Sequence, residues 1–416
     1  MDNTTSYIKI ASHEAKKGDF NKCVLLYSGG LDTSVMLKWI QDEYGAEVVA
    51  LTVDLGQMHE DLNAIKEKAV KLGAVKALVY DAKEEFANSL LTKAIKANAD
   101  YQNGYHLATC LGRVILSEIA VRVAEQEGAT VIAHGSTGKG NDQVRFENYV
   151  TTLNPNFKTI APVREWGMGR DEEIDYAHKH GIPISHTKDK PYSYDDNMWG
   201  SSAEGGEIEH PSKEIPFQNV LQVCATPEKA PDQAEKVTIR FEKGVPVALN
   251  GKTLKLADLI GELNPVGAKH GIGVAIAIED RLVGLKIRDL YEQPAARILV
   301  TAHKKLEQLV STQRENALKT TVDNEWAFLT YNALWFEPTM NNIHALIDKQ
   351  NEKVTGEVTV WLYKGNCQVV ALNSPYSLFN ENLATFFKND TFNQNASAGF
   401  IEIFNLAQKT AYNVKK

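Results

Sequence analysis

Short apolar runs separated by stretches of helical periodicity fill the first half of the chain. Cys23-Val24-Leu25-Leu26 is followed, after eight residues rich in Gly, Ser and Thr, by Val35-Met36-Leu37-Lys38-Trp39-Ile40 at helical spacing. Residues 47–53, 76–80 and 130–133 are β-branched and strand-like, and helical patterns at 62–72 and 107–125 separate them. Strand alternating with helix predicts an α/β domain with a doubly wound parallel sheet, covered on both faces. Ligands of such sheets lie beyond the carboxyl ends of the strands, near a reversal of strand order. The loops at 27–34 and 135–140 both follow strands, so both are expected on that edge, where they could share one ligand.

The pattern changes near residue 188. Residues 191–206 are dense in Ser, Gly, Asp and Tyr, and 211–231 are punctuated by Pro. Residues 237–241 and 245–249 then alternate as a hairpin, Asn250-Gly251 makes a further tight turn before Leu254, and 358–362 pairs with 369–371 through Lys364-Gly365-Asn366. A second domain, α+β in character, is expected from here. The final stretch, 400–416, is amphipathic and cannot bury its apolar side alone, which a subunit partner explains.

Composition narrows the function classes. At 416 residues, 43% apolar and 24% charged, the chain has room for two or three domains. A formal charge of −8 without a Lys/Arg cluster argues against a nucleic-acid surface and for small-molecule substrates. The four cysteines are scattered and form no Cys-x-x-Cys, so no disulfide framework or metal cluster is expected, and the compartment reads as reducing and cytoplasmic. No apolar run reaches membrane-spanning length, and residues 1–20 are too polar for a signal peptide.

Two constellations carry chemistry. Tyr27-Ser28-Gly29-Gly30-Leu31-Asp32-Thr33-Ser34 sits between strand and helix. Its glycines let the backbone approach a ligand, the helix amides and dipole favour an anion, and Ser28, Thr33 and Ser34 add hydroxyls. Leu31 can anchor the turn, whereas Asp32 has the wrong charge for a phosphate unless it caps the helix or a cation intervenes, which hints at magnesium. An ordinary strand-to-helix turn with an Asp or Thr cap fits these residues equally well. The commoner nucleotide motifs are absent: Gly251-Lys252-Thr253 has Pro246 where a Walker A loop needs its first glycine, Lys139 is followed by Gly140, and no Gly-x-Gly-x-x-Gly follows the first strand. The second constellation is His134-Gly135-Ser136-Thr137-Gly138-Lys139-Gly140-Asn141-Asp142-Gln143-Val144-Arg145-Phe146-Glu147. Neutral, negative and positive groups within one turn suit an α-amino acid, whose amine and carboxylate need opposite partners. A solvated helix start with Asp142 as cap and Arg145 in a surface ion pair is the bland alternative.

The first loop resembles the PP-loop of the ATP pyrophosphatases, which hold the β and γ phosphates and cut between α and β. Together with Gly135 to Glu147, Ala161-Pro162-Val163-Arg164, His180-Gly181-Ile182-Pro183-Ile184, residues 188–204, Lys269-His270-Gly271-Ile272-Gly273 and the stretch from Ile278-Glu279-Asp280-Arg281 to Tyr291-Glu292, it resembles the argininosuccinate synthase family over nearly the whole length and in the family's order. That resemblance implies ATP-dependent ligation of citrulline and aspartate through a citrullyl-adenylate, with release of AMP and pyrophosphate. It implies an N-terminal extension (1–20), a PP-loop nucleotide domain (21–187), a synthetase domain (188–378) and an oligomerisation segment (379–416) of a homotetramer.

Residue by residue, the resemblance places ATP on Tyr27, Ser28, Gly29, Gly30, Leu31, Asp32, Thr33 and Ser34, with adenosine against Val53 and Gly135 and Arg113 close to the nucleotide. Aspartate falls on Thr109, Thr137, Asn141 and Asp142. Citrulline falls on Tyr105, Cys110, Arg145, Ser193, Ser202, Glu204, Glu279 and Tyr291, with Asp142 reaching both. Asp142, Arg113 and Asp32 are expected to act on the reacting groups, magnesium arrives with ATP rather than on dedicated ligands, and no histidine or covalent nucleophile is required. Without the family, Tyr105 and Tyr291 read as half-buried aromatics and Glu279 as a solvated turn charge. Three positions depart from the family pattern: Cys110 stands where many relatives carry Ser, Gly112-Arg113-Val114 replaces a common Ala-Arg-Pro, and Asp289 replaces a common Gly, adding negative charge near the citrulline residues.

Overall fold

The computed structural model describes residues 12–57, 61–183, 192–384 and 391–414; the expected boundary at 187/188 and most of the extension 1–20 lie outside them. Five parallel strands, β1 (Lys22–Leu26), β2 (Glu47–Asp54), β3 (Lys76–Asp81), β4 (Val131–Ala133) and β5 (Lys158–Ile160), form one sheet in the order β3-β2-β1-β4-β5. Both faces are covered, as the apolar runs require. Val24, Val49, Leu51 and Val53 point to one core, while Cys23, Leu25, Val48 and Ala50 point to another with Met36, Leu37 and Ile40. The helices of this unit are α1 (Leu31–Tyr44), α2 (Leu62–Lys71), α3 (Ala108–Glu127), α4 (Asp142–Leu153) and α5 (Arg170–Lys179).

The strand order reverses between β1 and β4, and the two loops singled out by the sequence follow these two strands. The crevice that a doubly wound sheet leaves at such a reversal therefore opens between them. Strand β5 is three residues long, and Lys158-Thr159-Ile160 carries no alternation long enough to mark it in the sequence.

Two antiparallel sheets follow. One, of order β10-β9-β8-β13-β14, contains β8 (Glu235–Glu242), β9 (Val245–Leu249), β10 (Lys252–Thr253), β13 (Gly356–Tyr363) and β14 (Asn366–Asn373). Its three hairpins are those the sequence predicts, and Lys243-Gly244, Asn250-Gly251 and Lys364-Gly365 all take the positive φ that two-residue turns need. The other, of order β11-β12-β7-β6, joins β6 (Ser193–Asn197), β7 (Gly200–Glu204), β11 (Val274–Asp280) and β12 (Lys286–Glu292). The helices α6 (Leu256–Lys269), α7 (Pro294–Val310), α8 (Gln313–Tyr331) and α9 (Pro338–Asn351) pack around these sheets and into the same core as α3. The chain ends in α10 (Ala396–Phe404) and α11 (Leu406–Val414), neither of which buries a residue.

Candidate functional site

A cavity of about 740 Å³ opens at the β1/β4 reversal. One wall is the loop after β1, a second is the loop after β4 with the start of α4, and a third is one face of the β6-β7-β12-β11 sheet.

In the first wall, Gly29 adopts φ +76°, and a Cβ there would meet Ile65 Cγ1 at 2.8 Å. Gly30 is extended (φ −66°, ψ −180°) and opens α1 with no side chain capping the helix, which leaves its first amides aimed at the cavity. Ser28 and Thr33 share a hydrogen bond (3.1 Å) and line the space, and Leu31 is buried beneath it. Ser34 does not reach the cavity. It is fully buried, its hydroxyl donates to the Gly30 carbonyl (2.6 Å), and it lies 3.1 Å from the Tyr27 hydroxyl. Its hydroxyl shapes the loop from behind, and the Gly29 side also faces away. Asp32 does not cap α1 but pairs with Arg170 (2.9 Å). Glu173 of α5 lies buried against Asp32, its Oε2 without a partner, and burial together with the Asp32 charge pushes its carboxyl up to about 8.

In the second wall, Asp142 bridges two guanidiniums. Its Oδ2 accepts from Arg113 Nε (2.9 Å) and its Oδ1 from Arg145 Nη1 (2.7 Å). Burial alone would raise this carboxyl, but Arg113 and Arg145 outweigh it and hold it below its ordinary value. Arg113 also pairs with Asp195 of β6, a residue with no signal in the sequence beyond lying in a polar stretch. Arg145 is 3% exposed, so the surface ion pair that its composition suggested is wrong: its Nε and Nη2 donate to the Tyr331 carbonyl (3.2 and 2.9 Å) and it lies over the Tyr331 ring. His134 packs at the strand end, 1% exposed, with Nε2 against Glu147 (3.1 Å) and Nδ1 accepting from the Ser136 amide (3.3 Å), which props the loop that carries Gly135 and Thr137.

The third wall is made by strand alternation. Side chains of Tyr291 and Asp289 share one face of β12; Ser202 lies opposite Tyr291, Glu204 lies opposite Ser193, and Glu279 follows on β11. Glu279 is 2% exposed, not a solvated turn charge, and is held by two phenols: the Tyr331 hydroxyl (2.7 Å) and the Tyr291 hydroxyl. Tyr291 stacks on Tyr105 (centroids 4.1 Å) and Tyr331 on Tyr101 (3.9 Å), and burial followed by the Glu279 charge raises the Tyr331 phenol well above its ordinary range. Asn141 donates to the Tyr331 hydroxyl (2.9 Å) and accepts from the Leu282 amide (2.8 Å), so one hydrogen-bonded chain links the second wall to the third. Tyr105 and Thr109 are aimed by a strained entry to α3: Leu107 takes φ +64°, and the flanking chain is clamped by Gln293, which accepts from the His106 amide (2.7 Å) and donates to the Gly104 carbonyl (3.0 Å).

Of the residues singled out by sequence, Tyr27, Ser28, Gly30, Leu31, Asp32, Thr33, Val53, Tyr105, Thr109, Arg113, Gly135, Thr137, Asn141, Asp142, Arg145, Ser193, Ser202, Glu204, Glu279 and Tyr291 all line the cavity. Gly29, Ser34 and Cys110 stand behind its walls; the Cys110 thiol is fully buried, 3.5 Å from the Tyr105 hydroxyl. Sequence reasoning missed Tyr331, Asp195 and Arg281, whose Nη2 reaches Glu204 (2.8 Å). No group of three or more His, Cys, Asp or Glu among the described residues could hold a metal by itself, and no helix among them is long and apolar enough to cross a membrane.

Comparison with known proteins agrees in both halves. Residues 22–183 match the argininosuccinate synthase N-terminal HUP domain, and residues 192–411 match the argininosuccinate synthase C-terminal domain. The chain is similar to the argininosuccinate synthases of Symbiobacterium thermophilum (48% identical, over 95% of this chain and 98% of the relative), Pyrococcus furiosus (51%, over 94% and 95%) and Streptococcus mutans (46%, over 92% and 96%). With two domain models covering the described fold and relatives near half identity across almost its full length, this chain belongs to the argininosuccinate synthase family.

Proposed function

We propose that this protein ligates citrulline and aspartate at the expense of ATP, giving argininosuccinate, AMP and pyrophosphate. The observation that carries the reading is the continuity of the three walls: an anion-binding helix start, an Asp142 flanked by two guanidiniums, and a polar sheet face enclose one space large enough for a nucleotide beside two amino acids. On this reading Gly30 and the first amides of α1 receive the phosphates, Val53 and Gly135 flank the adenosine, and Arg113 stands next to the α phosphate. Thr109, Thr137, Asn141 and Asp142 take aspartate. Tyr105, Arg145, Ser193, Ser202, Glu204, Glu279 and Tyr291 take citrulline, and residues 21–187 and 188–378 contribute as nucleotide and synthetase domains.

The ureido oxygen of citrulline attacks the α phosphorus and pyrophosphate leaves; the aspartate amine then attacks the activated carbon and AMP leaves. Holding these groups in line can supply roughly 7–11 kcal/mol of the barrier, and fixed donors at the loop and Arg113 stabilise the developing phosphate charge. Magnesium belongs to this reaction class, and the residue at the loop that could meet an ion carried in by ATP is Asp32, whose carboxylate lines the cavity beside Arg170. Bound there with ATP, it would offset charge on the departing pyrophosphate. The direct test is pyrophosphate release by the purified protein, which should require citrulline together with ATP; release at full rate without citrulline would overturn the reading.

Tyr331 supplies a finer test. Tyr331→Phe strips the hydroxyl that joins Asn141 to Glu279, leaving the half-buried Asn141 amide and the buried Glu279 carboxylate each short of a partner, at about 1–3 kcal/mol. Steady-state kinetics should show KM rising about tenfold or more for both amino acids, with nucleotide affinity in their absence unchanged.

An exposed apolar face on α10 and α11 supports a subunit contact. Phe400, Ile401, Ile403, Phe404, Leu406 and Val414 are all more than half exposed, an apolar face that a lone chain would not keep in water. We read residues 379–416 as the contact of a homotetramer. Removing residues 391–416 should reduce the assembly to smaller species by light scattering; an unchanged mass would place the contact elsewhere.

A further inference from the structure

Among the described residues, Asp289 is the one carboxyl on the cavity's sheet wall with a buried oxygen lacking a partner. It is 7% exposed, it lines the cavity, and its Oδ1 has no hydrogen-bond partner. Across β11 it faces Ala277, which offers nothing polar, and its Oδ2 is 3.9 Å from Arg281, a guanidinium already committed to Glu204 at 2.8 Å. Glu204, Glu279 and Asp289 thus lie on neighbouring strands of this wall with Arg281 as the guanidinium beside them. Glu279 is satisfied by two phenols and Glu204 by Arg281, so the missing donor is missing at Asp289. A buried carboxyl oxygen without a partner is costly, and a site keeps one where a ligand completes it. The cationic donor that this wall would receive is the α-ammonium of its amino acid.

We propose that Asp289 is a substrate-recognition residue: its unpartnered Oδ1 accepts a hydrogen bond from the α-ammonium of citrulline and makes the site select a zwitterion over the same molecule lacking the amine. The inference rests on the functional reading above. The groups facing Asp289 agree with it. Burial, followed by the charges of Glu279 on β11 and Glu204 on β7, pushes the Asp289 carboxyl up to about 7; Arg281 opposes this and Glu209 adds to it slightly. An arriving ammonium would relieve that repulsion, so binding should favour the ionised carboxyl.

The test is calorimetry with a non-hydrolysable ATP analogue present, comparing citrulline with ureidopentanoate, which is citrulline without its α-amine. Asp289→Asn should weaken citrulline about ten- to a hundredfold and leave ureidopentanoate within about twofold of the wild type. Equal weakening of both, or of neither, would overturn the assignment. Should the variant fold poorly, the wild type decides alone: between about pH 8 and pH 6 citrulline affinity should fall as the carboxyl protonates, while ureidopentanoate affinity should hold or rise. Parallel pH profiles would count against Asp289. A wild type that binds no citrulline at all would overturn the functional reading and this inference with it.

Discussion

Gly30→Val should abolish pyrophosphate release while leaving a folded protein. The two loop glycines separate these effects. Gly29 sits at φ +76° with Ile65 2.8 Å from any added Cβ, so a side chain there strains the backbone and invades the core, and loss of activity would say nothing about phosphate. Gly30 is extended, a conformation valine prefers, and its Cβ would meet only Ser28 Oγ at 3.4 Å. The added methyls would stand on the cavity wall where α1 begins, between its first amides and an approaching anion. A displacement of the reacting phosphate by about 1 Å can cost a hundredfold, so release should fall by at least that much, with the circular dichroism spectrum and melting temperature close to the wild type. Normal release from a well-folded variant would detach this loop from the chemistry.

What the sequence made legible follows from how local each signal is. The strand-loop-helix around Gly30 and the segment from Gly135 to Glu147 are contiguous, and their chemistry depends on backbone freedom and on groups within one turn, so both could be found without a structure. The parallel sheet was readable because its strands are buried on both faces and therefore nearly all apolar. The sheet that forms the third wall was not. β6 is Ser-Tyr-Asp-Asp-Asn and β7 is Gly-Ser-Ser-Ala-Glu, strands whose cavity side is polar because it meets a ligand and whose propensity alone suggests a loop. Tyr331 lies at the end of a long helix about 190 positions from Asn141, and nothing in its own neighbourhood marks it. Ser34 and Cys110 differ in the other direction: the motif names them, and the turn of the helix carries their side chains behind the wall.

Asp142→Asn should cut kcat/KM for both citrulline and aspartate by about ten- to a hundredfold, with ATP affinity in the absence of citrulline nearly unchanged. The wild-type carboxylate accepts from Arg113 with one oxygen and from Arg145 with the other. An asparagine keeps one acceptor and turns an NH2 toward the second guanidinium, so the two cations are no longer held at a fixed separation. Removing one partner of a fully buried pair costs about 3–5 kcal/mol, but here the loss should be smaller. Asp142 remains 24% exposed, Arg113 keeps Asp195, and Arg145 keeps the Tyr331 carbonyl, so the variant should fold. Its pH behaviour separates it from Asp289. The Asp142 carboxyl is held below 3.8, so its contribution to stability is complete above that pH and is lost only as the pH falls through the still lower folded value. Any change in citrulline affinity near neutrality should therefore survive in Asp142→Asn and disappear in Asp289→Asn. Calorimetric nucleotide affinity set beside steady-state kinetics decides the role of Asp142. If ATP binding collapses while turnover of bound substrates survives, Asp142 serves the nucleotide rather than the amino acids, and the pairing of Arg113 and Arg145 must be read as a structural clamp on α3 and α4.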